Sequence, residues 1–262
     1  MTTSAIAAYS ESAAGWQRGP GRVYDHLAQA VVELAPVSLA GRSVLDVGAG
    51  TGAVTRAASA AGAALVVAID AAWGMLRHEA ARRPPAVVAD ARRLPFPAAT
   101  FGAAIAAFSL NHLDDPAAGL AEMARVTERG SPLVVAAYGA DDSHPVKAAV
   151  EAVLRARGWR PDDWYEQLRT GAAPLLATPE RAAALAAAGG LDGRAELVHV
   201  ELPDLSPDGL VEWRLGMAQH APFLSRLPPE ERAEVAAEAR ARLGSDAPTL
   251  VRSIVVLVAV TG

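Results

Sequence analysis

The chain has 262 residues and carries 24 basic against 29 acidic side chains, a formal net charge of -5. That balance argues against a protein that binds nucleic acid or an anionic membrane through bulk charge. Hydrophobic residues make up 52% of the chain, which argues against disorder, and the lack of cysteine removes disulfides, thiolate metal sites and thiol nucleophiles together. The longest apolar runs, such as 254–260, fall short of the ~20 residues a membrane helix needs. The start, residues 1–6, lacks a basic segment followed by an apolar one and does not read as a signal peptide. A cytoplasmic protein with no membrane partner is expected. Lys147 is the sole lysine, so Schiff-base chemistry has one candidate.

Residues 1–35 predict an N-terminal arm and lid helix. Tyr9, Trp16, Arg18 and Arg22 form a polar and aromatic arm broken by Gly19-Pro20-Gly21, and Val23, Leu27, Val31 and Leu34 recur at helical spacing, predicting a helix over 24–34. One domain then covers 36–262. Short apolar runs at 43–47, 64–69, 86–89, 103–108 and 132–138 alternate with helical patterns, which predicts βα units and a mostly parallel sheet with helices on both faces.

Beyond Tyr138 helix starts dominate: Ser143-His144-Pro145, Thr178-Pro179-Glu180 and Ser206-Pro207-Asp208 each place a cap-forming residue shortly before a proline suited to the first turn. Val146, Val150, Val153 and Leu154 make one apolar stripe, and Leu210, Trp213 and Met217 another. These segments predict an α-helical cap built from insertions at about 140–193 and 203–248. Strands over 195–202 and 251–260 return to finish the sheet. Residues 230–243 are charge-rich, with Glu238 and Arg242 spaced i,i+4, and predict a solvated helix face.

The most informative stretch is Val44-Leu45-Asp46-Val47-Gly48-Ala49-Gly50-Thr51-Gly52, an apolar strand running into a glycine-dense turn. Glycines let backbone approach a ligand closely, and the following helix offers free N–H groups. A dinucleotide fingerprint would need its third glycine at position 53, which is Ala53, and needs no acid two residues before the first glycine. Asp46 stands there, where a carboxylate can meet an ammonium group or orient the loop.

This D-x-G-x-G-x-G pattern resembles motif I of the class I S-adenosylmethionine (SAM) dependent methyltransferases. Further landmarks follow in the family's order. Val66-Val67-Ala68-Ile69-Asp70 ends a second strand in an acid, and Ala89-Asp90-Ala91 follows a third. Arg93-Leu94-Pro95-Phe96-Pro97, Thr100-Phe101-Gly102-Ala103 and Phe108-Ser109-Leu110-Asn111-His112-Leu113 are similar to the signature of the ubiquinone/menaquinone-type branch of small-molecule methyltransferases, as is the segment Arg125-Val126-Thr127-Glu128-Arg129-Gly130-Ser131-Pro132-Leu133. The resemblance covers about residues 40 to 138. Gly102, where the family usually has Asp, and Ser131-Pro132, in place of a glycine-containing pair, depart from it.

The resemblance implies a Rossmann-like α/β fold whose seven-stranded sheet has the order 3-2-1-4-5-7-6 with the last strand antiparallel. It implies SAM as cofactor and S-adenosylhomocysteine as product. Asp46, Gly48, Ala49 and Gly50 would face the amino acid end; Asp70 would accept the ribose hydroxyls, since two acceptor oxygens suit a vicinal diol. Asp90 and Ala91 would read the adenine, with Ala71 and Met75 packed around it and Phe108 also at the cofactor. Tyr9, Trp16 and Tyr24 offer faces to a sulfonium through cation–π attraction, and Arg18 and Arg22 are candidate partners for a carboxylate.

His112, on the loop leaving the fourth strand, is the candidate general base, its other role being structural. Tyr24, Tyr138, Trp213, Met217 and His220 are the candidate acceptor-binding residues, because the buried face of a cap often walls a pocket. Asp141, Asp142 and His144 read as the opening of a cap helix, and no metal site is expected. Phe108-Ser109-Leu110-Asn111 lacks the Asn/Asp-Pro-Pro-Tyr/Phe motif of nucleic-acid and glutamine methylases, so the expected reaction is methyl transfer to an O, N or C atom of a small, specialised or quinone-like metabolite. The alternatives are a non-methylating, cyclase-type enzyme that retains SAM, or a SAM-binding partner subunit.

Overall fold

The computed structural model describes residues 1–78, 80 and 84–262. Among them, seven strands form one sheet: β1 (Ser43–Val47), β2 (Leu65–Asp70), β3 (Ala86–Val88), β4 (Ala103–Ala107), β5 (Pro132–Tyr138), β6 (Asp192–Leu202) and β7 (Leu250–Val260). The order is 3-2-1-4-5-7-6, as expected. Strands β1 to β5 pair in parallel, and β7 runs antiparallel to both β5 and β6. β6 begins at Asp192, three residues ahead of its apolar run, because Asp192 already pairs with Val260. The chain reverses its direction of travel across the sheet between β1 and β4, and crevices form at the carboxyl ends of strands at such a point.

β4 and β5 are buried almost throughout, which requires cover on both faces. One face receives α2 (Pro20–Glu33), α3 (Ala53–Ala60), α6 (Pro145–Ala156), α9 (Pro207–Leu215) and α11 (Pro229–Leu243), packed through Val23, Leu27, Val150, Leu154, Trp213 and Val235. The other receives α5 (Pro116–Val126) and α8 (Pro179–Ala188), through Leu120, Met123, Ala182 and Ala186 against Leu45, Leu133 and Leu257. Fully burying each larger aliphatic side chain contributes about 1.5–3 kcal/mol. Helix α8 therefore covers the sheet, although it lies inside the span expected to form the cap.

Thr178 and Ser206 cap α8 and α9 by accepting from the N–H groups of Arg181 and Gly209. At α6 the cap is His144 and not Ser143: its Nδ1 accepts from the Val146 N–H at 3.2 Å, and its Nε2 donates to the Pro248 carbonyl at 3.0 Å. Glu238 of α11 meets Arg157, and not Arg242, because Val235 and Ala239 turn that helix onto α6. Among the described residues no helix is long and apolar enough to cross a membrane.

The N-terminal arm is itself a helix, α1 (Thr3–Arg18), and α2 begins at Pro20, four residues before the expected start. A Cβ at Gly19 would strike the backbone carbonyl of Glu212 in α9, so glycine is required where the two helices turn against the cap. Farther along, α1 lies against α4 (Trp73–Arg77), with the Ser10 backbone where a Cβ of Gly74 would sit.

Behind β5, Asp142 joins the two halves of the molecule. Its carboxylate accepts from Arg252 Nε at 2.8 Å and Nη2 at 2.7 Å, from Lys147 Nζ at 2.6 Å and from the Ser253 N–H at 3.2 Å. The Asp142 and Arg252 side chains are 4% and 3% exposed. The Arg252 guanidinium lies 4.1 Å from the ring centroid of Tyr138 and 4.8 Å from that of Trp213. Asp142→Ala strands buried cations without their carboxylate, and urea denaturation is expected to report a loss of about 3–5 kcal/mol.

Candidate active site

The glycine loop leaves β1 at the switch point. The Gly48 and Ala49 N–H groups both donate to the Ile69 carbonyl, at 2.8 and 2.9 Å. Gly48 has φ +73°, and a Cβ there would collide with the Cβ of Ser109, whose hydroxyl donates to the Val47 carbonyl at 2.6 Å. Gly50, φ +53°, faces open space on the cavity side, where a Cβ would meet no atom within 4 Å. Asp46 is 1% exposed and accepts from the Thr55 hydroxyl at 2.6 Å.

Asp70, at the end of β2, accepts from the Gly50 N–H at 2.8 Å and from the Ala72 N–H at 2.7 Å. An ionised carboxylate has about four acceptor positions, so these two bonds are compatible with accepting hydroxyl groups as well. Asp90 follows β3 and accepts from the Arg92 guanidinium and N–H, and these bonds hold its pKa below the usual carboxylate value. Arg92 is a partner that the sequence pattern did not reveal.

A cavity at this edge is lined by Asp46, Gly48, Ala49, Gly50, Asp70, Ala71, Met75, Asp90, Ala91 and Phe108, together with Tyr9 and Trp16 of α1 and Tyr24 of α2. Twelve of the thirteen residues expected at the cofactor thus lie around one space. The thirteenth, Arg22, is exposed and outside this lining. Because α2 starts at Pro20, Arg22 falls on the solvent side of its first turn, beside the fully buried Val23.

An aromatic wall bounds the cavity. Trp16 and Tyr24 have ring centroids 4.9 Å apart, and Tyr24 meets Phe108 edge-on at 5.5 Å. Phe108 stacks on Tyr138 at 4.6 Å, with φ +59°, a left-handed backbone that is costly for a bulky residue. The Tyr9 hydroxyl and His112 Nε2 share a hydrogen bond of 3.3 Å. Burial among these groups pushes the His112 pKa down to about 4, so the imidazole is neutral at physiological pH. That lies well below the range suited to a general base there.

Tyr9, Tyr24 and His112 also line a second cavity, under the cap, with Tyr138, Trp213 and Met217. Four of the five expected acceptor residues therefore stand around it, Tyr24 between the two spaces. His220 does not line it: the residue is 0% exposed, its Nδ1 donates to the Arg214 carbonyl at 2.9 Å, and its ring packs edge-on against Trp159. The second cavity also holds Asn111, Asp142, Lys147, Trp164, Arg214, Gln219 and Arg252, which sequence reading did not assign to it. The available signal was Arg252, the one charge inside the largely apolar strand β7.

Burial pushes the His220 pKa down to about 3 from an ordinary 6.5. The unfolded chain then binds a proton that the folded chain refuses. As pH falls from about 6.5 toward 3, His220 is expected to remove stability at up to about 1.4 kcal/mol per pH unit. Urea denaturation of wild type and His220→Gln over that window checks it: the wild type should lose stability faster, and parallel profiles would contradict the assignment.

Residues 45–135 match the family model described as a methyltransferase domain. The demethylmenaquinone methyltransferase of Mycolicibacterium gilvum is 41% identical over 120 residues, 46% of this chain and 50% of that protein. The chain thus spans about half the length of the curated relatives it matches. A protein of Anabaena variabilis described as a methyltransferase from an antibiotic biosynthesis pathway superposes with TM-score 0.60 at 16% identity, covering 88% of this chain and 95% of that one. The Haemonchus contortus phosphoethanolamine N-methyltransferase 2, in complex with SAM, gives 0.55 at 17% identity over 90% of this chain and 52% of that one. Residues 45–135 are thus similar to a methyltransferase domain, and the sheet they belong to has the strand order 3-2-1-4-5-7-6.

Proposed function

We propose that the protein transfers a methyl group from SAM to an O, N or C atom of a small molecule seated in the second cavity. The observation that carries this reading is the meeting of two cavities at Tyr9, Tyr24 and His112. The first cavity fits SAM in charge: its described lining includes three carboxylates, Asp46, Asp70 and Asp90, and no arginine or lysine side chain. When bound, SAM supplies the electrophilic sulfonium methyl.

Asp70 would hold the ribose, Asp90 and Ala91 the adenine, Met75 its face, and Asp46 with the glycine loop the amino acid end. Tyr9, Trp16 and Tyr24 would keep water from the reacting atoms and present ring faces to positive charge. With a neutral imidazole of low basicity, His112 would position the Tyr9 hydroxyl more than it would take a proton. The rate would then come mainly from holding the reactants close and aligned. The name of the sequence relatives favours a quinone-like acceptor, and the matched methyltransferase domain favours methyl transfer over a cyclase-type reaction or a non-catalytic subunit.

Calorimetric titration with S-adenosylhomocysteine and, separately, NAD tests the cofactor. Saturable binding of the first alone is expected, weakened about 10- to 100-fold in Asp70→Ala, the effect of hydrogen bonds to a charged group. Binding of NAD, or no binding of S-adenosylhomocysteine by folded protein, would refute the reading.

A further inference from the structure

The second cavity is electrostatically the reverse of the first. Its described lining includes four basic side chains, Lys147, Arg169, Arg214 and Arg252, and one acid, Asp142. Asp142 is already shared by Arg252 and Lys147, Arg214 gives Nη2 to Glu151 at 2.6 Å and Arg169 pairs with Glu166 at 3.4 Å, so the positive charge left in excess is that of the two cations sharing Asp142. Burial first, and the neighbouring Arg252 second, lower the Lys147 pKa, while Asp142 acts to raise it.

The hydrogen-bond inventory points the same way. Arg214 Nε, Gln219 Nε2 and Trp213 Nε1 are buried donors with no partner in the protein, and their residues are 5%, 4% and 1% exposed. On the same lining the buried groups without a partner that can accept are Asn111 Oδ1 and the Tyr138 hydroxyl, and the hydroxyl can also donate. A buried polar group left unpaired costs about 1–3 kcal/mol, so such a set is built to be completed by a ligand rich in acceptors. The rings of Tyr24, Tyr138, Trp164 and Tyr165 supply flat walls between the polar groups.

We propose that the acceptor is an aromatic molecule bearing an ionised oxyanion, a carboxylate or an acidic phenol, received by the donors of Arg214, Gln219 and Trp213 with its ring against the tyrosine and tryptophan faces. This rests on the methyltransferase reading above and adds the class of acceptor. The excess positive charge favours the ionised form, and the unpaired donors replace the water that an oxyanion gives up. A neutral amide of the same shape brings its own N–H groups to a site already crowded with donors.

The test uses the whole protein with matched probes: 2-hydroxybenzoate against 2-hydroxybenzamide, and 1-hydroxy-2-naphthoate against its amide. Binding is followed by tryptophan fluorescence and ligand-observed NMR, with and without saturating S-adenosylhomocysteine. The acids are expected to bind at least about tenfold more tightly than the amides, the effect of hydrogen bonds to a charged group. Gln219→Leu and Lys147→Met should each remove most of that preference and leave S-adenosylhomocysteine binding unchanged. Gln219→Leu also deletes an unpaired buried donor, so its fold should persist. Equal affinity of acid and amide, no acid binding at millimolar concentration, or a preference that survives both substitutions would overturn the proposal. An acid preference without any S-adenosylhomocysteine binding would uphold the cavity's chemistry and count against the cofactor reading instead.

Discussion

The upper edge of the sheet depends on one carboxylate that holds two loops at once. Asp70 takes the Gly50 N–H with one oxygen and the Ala72 N–H with the other, so the turn after β1 and the turn after β2 are fixed relative to each other. Gly48 can then lie against Ser109 only because it has no side chain, and this brings the loop after β4 to the same edge. Three strand ends converge in this way, and that convergence places the glycine loop, Asp70 and the loop that carries Phe108 and Ser109. The loops proposed to carry the chemistry sit on a scaffold of buried strands.

Above that edge the molecule separates charge by compartment. Acids line the space at β1 to β3, and bases line the space under the cap. The Asp142 cluster explains how a basic cavity survives in a folded core: one buried carboxylate serves two cations, and Tyr138 and Trp213 shield the Arg252 guanidinium on its faces. Removing charges from water is expensive, and pairing with hydrogen bonds offsets most of the cost. The same interaction ties the chain after β5 to β7, so it is structural and electrostatic together.

Much of this is legible in the sequence, and the reasons are physical. Strand runs of Val, Ile and Ala between helical patterns locate the sheet to within a few residues, since strands buried on both faces have little choice of composition. Asp46, Asp70 and Asp90 stand out because each lies at or within two residues of the carboxyl end of a strand, so local sequence fixes its place. What escapes is tertiary. Arg22 reads as an inward residue only if the helix starts at Tyr24, and the Gly19 contact with α9 that moves the start to Pro20 involves residues nearly two hundred positions apart. His220 and Trp213 share one cap segment, yet one is closed into the core by Arg214 and Trp159 while the other reaches the cavity. Asp142 reads locally as a helix-opening acid, because Arg252, which claims it, comes from the far end of the chain.

Lys147 gives the second cavity a chemical handle. It is the chain's one lysine, and its ammonium lies beside Asp142 with about a quarter of its side chain exposed. Acylating reagents that elsewhere modify many surface amines have a single side-chain target here, and that target sits in the space proposed for the acceptor. Protection of this amine by an added compound, read by peptide mass mapping, therefore becomes a footprint of cavity occupancy that requires neither turnover nor an identified product.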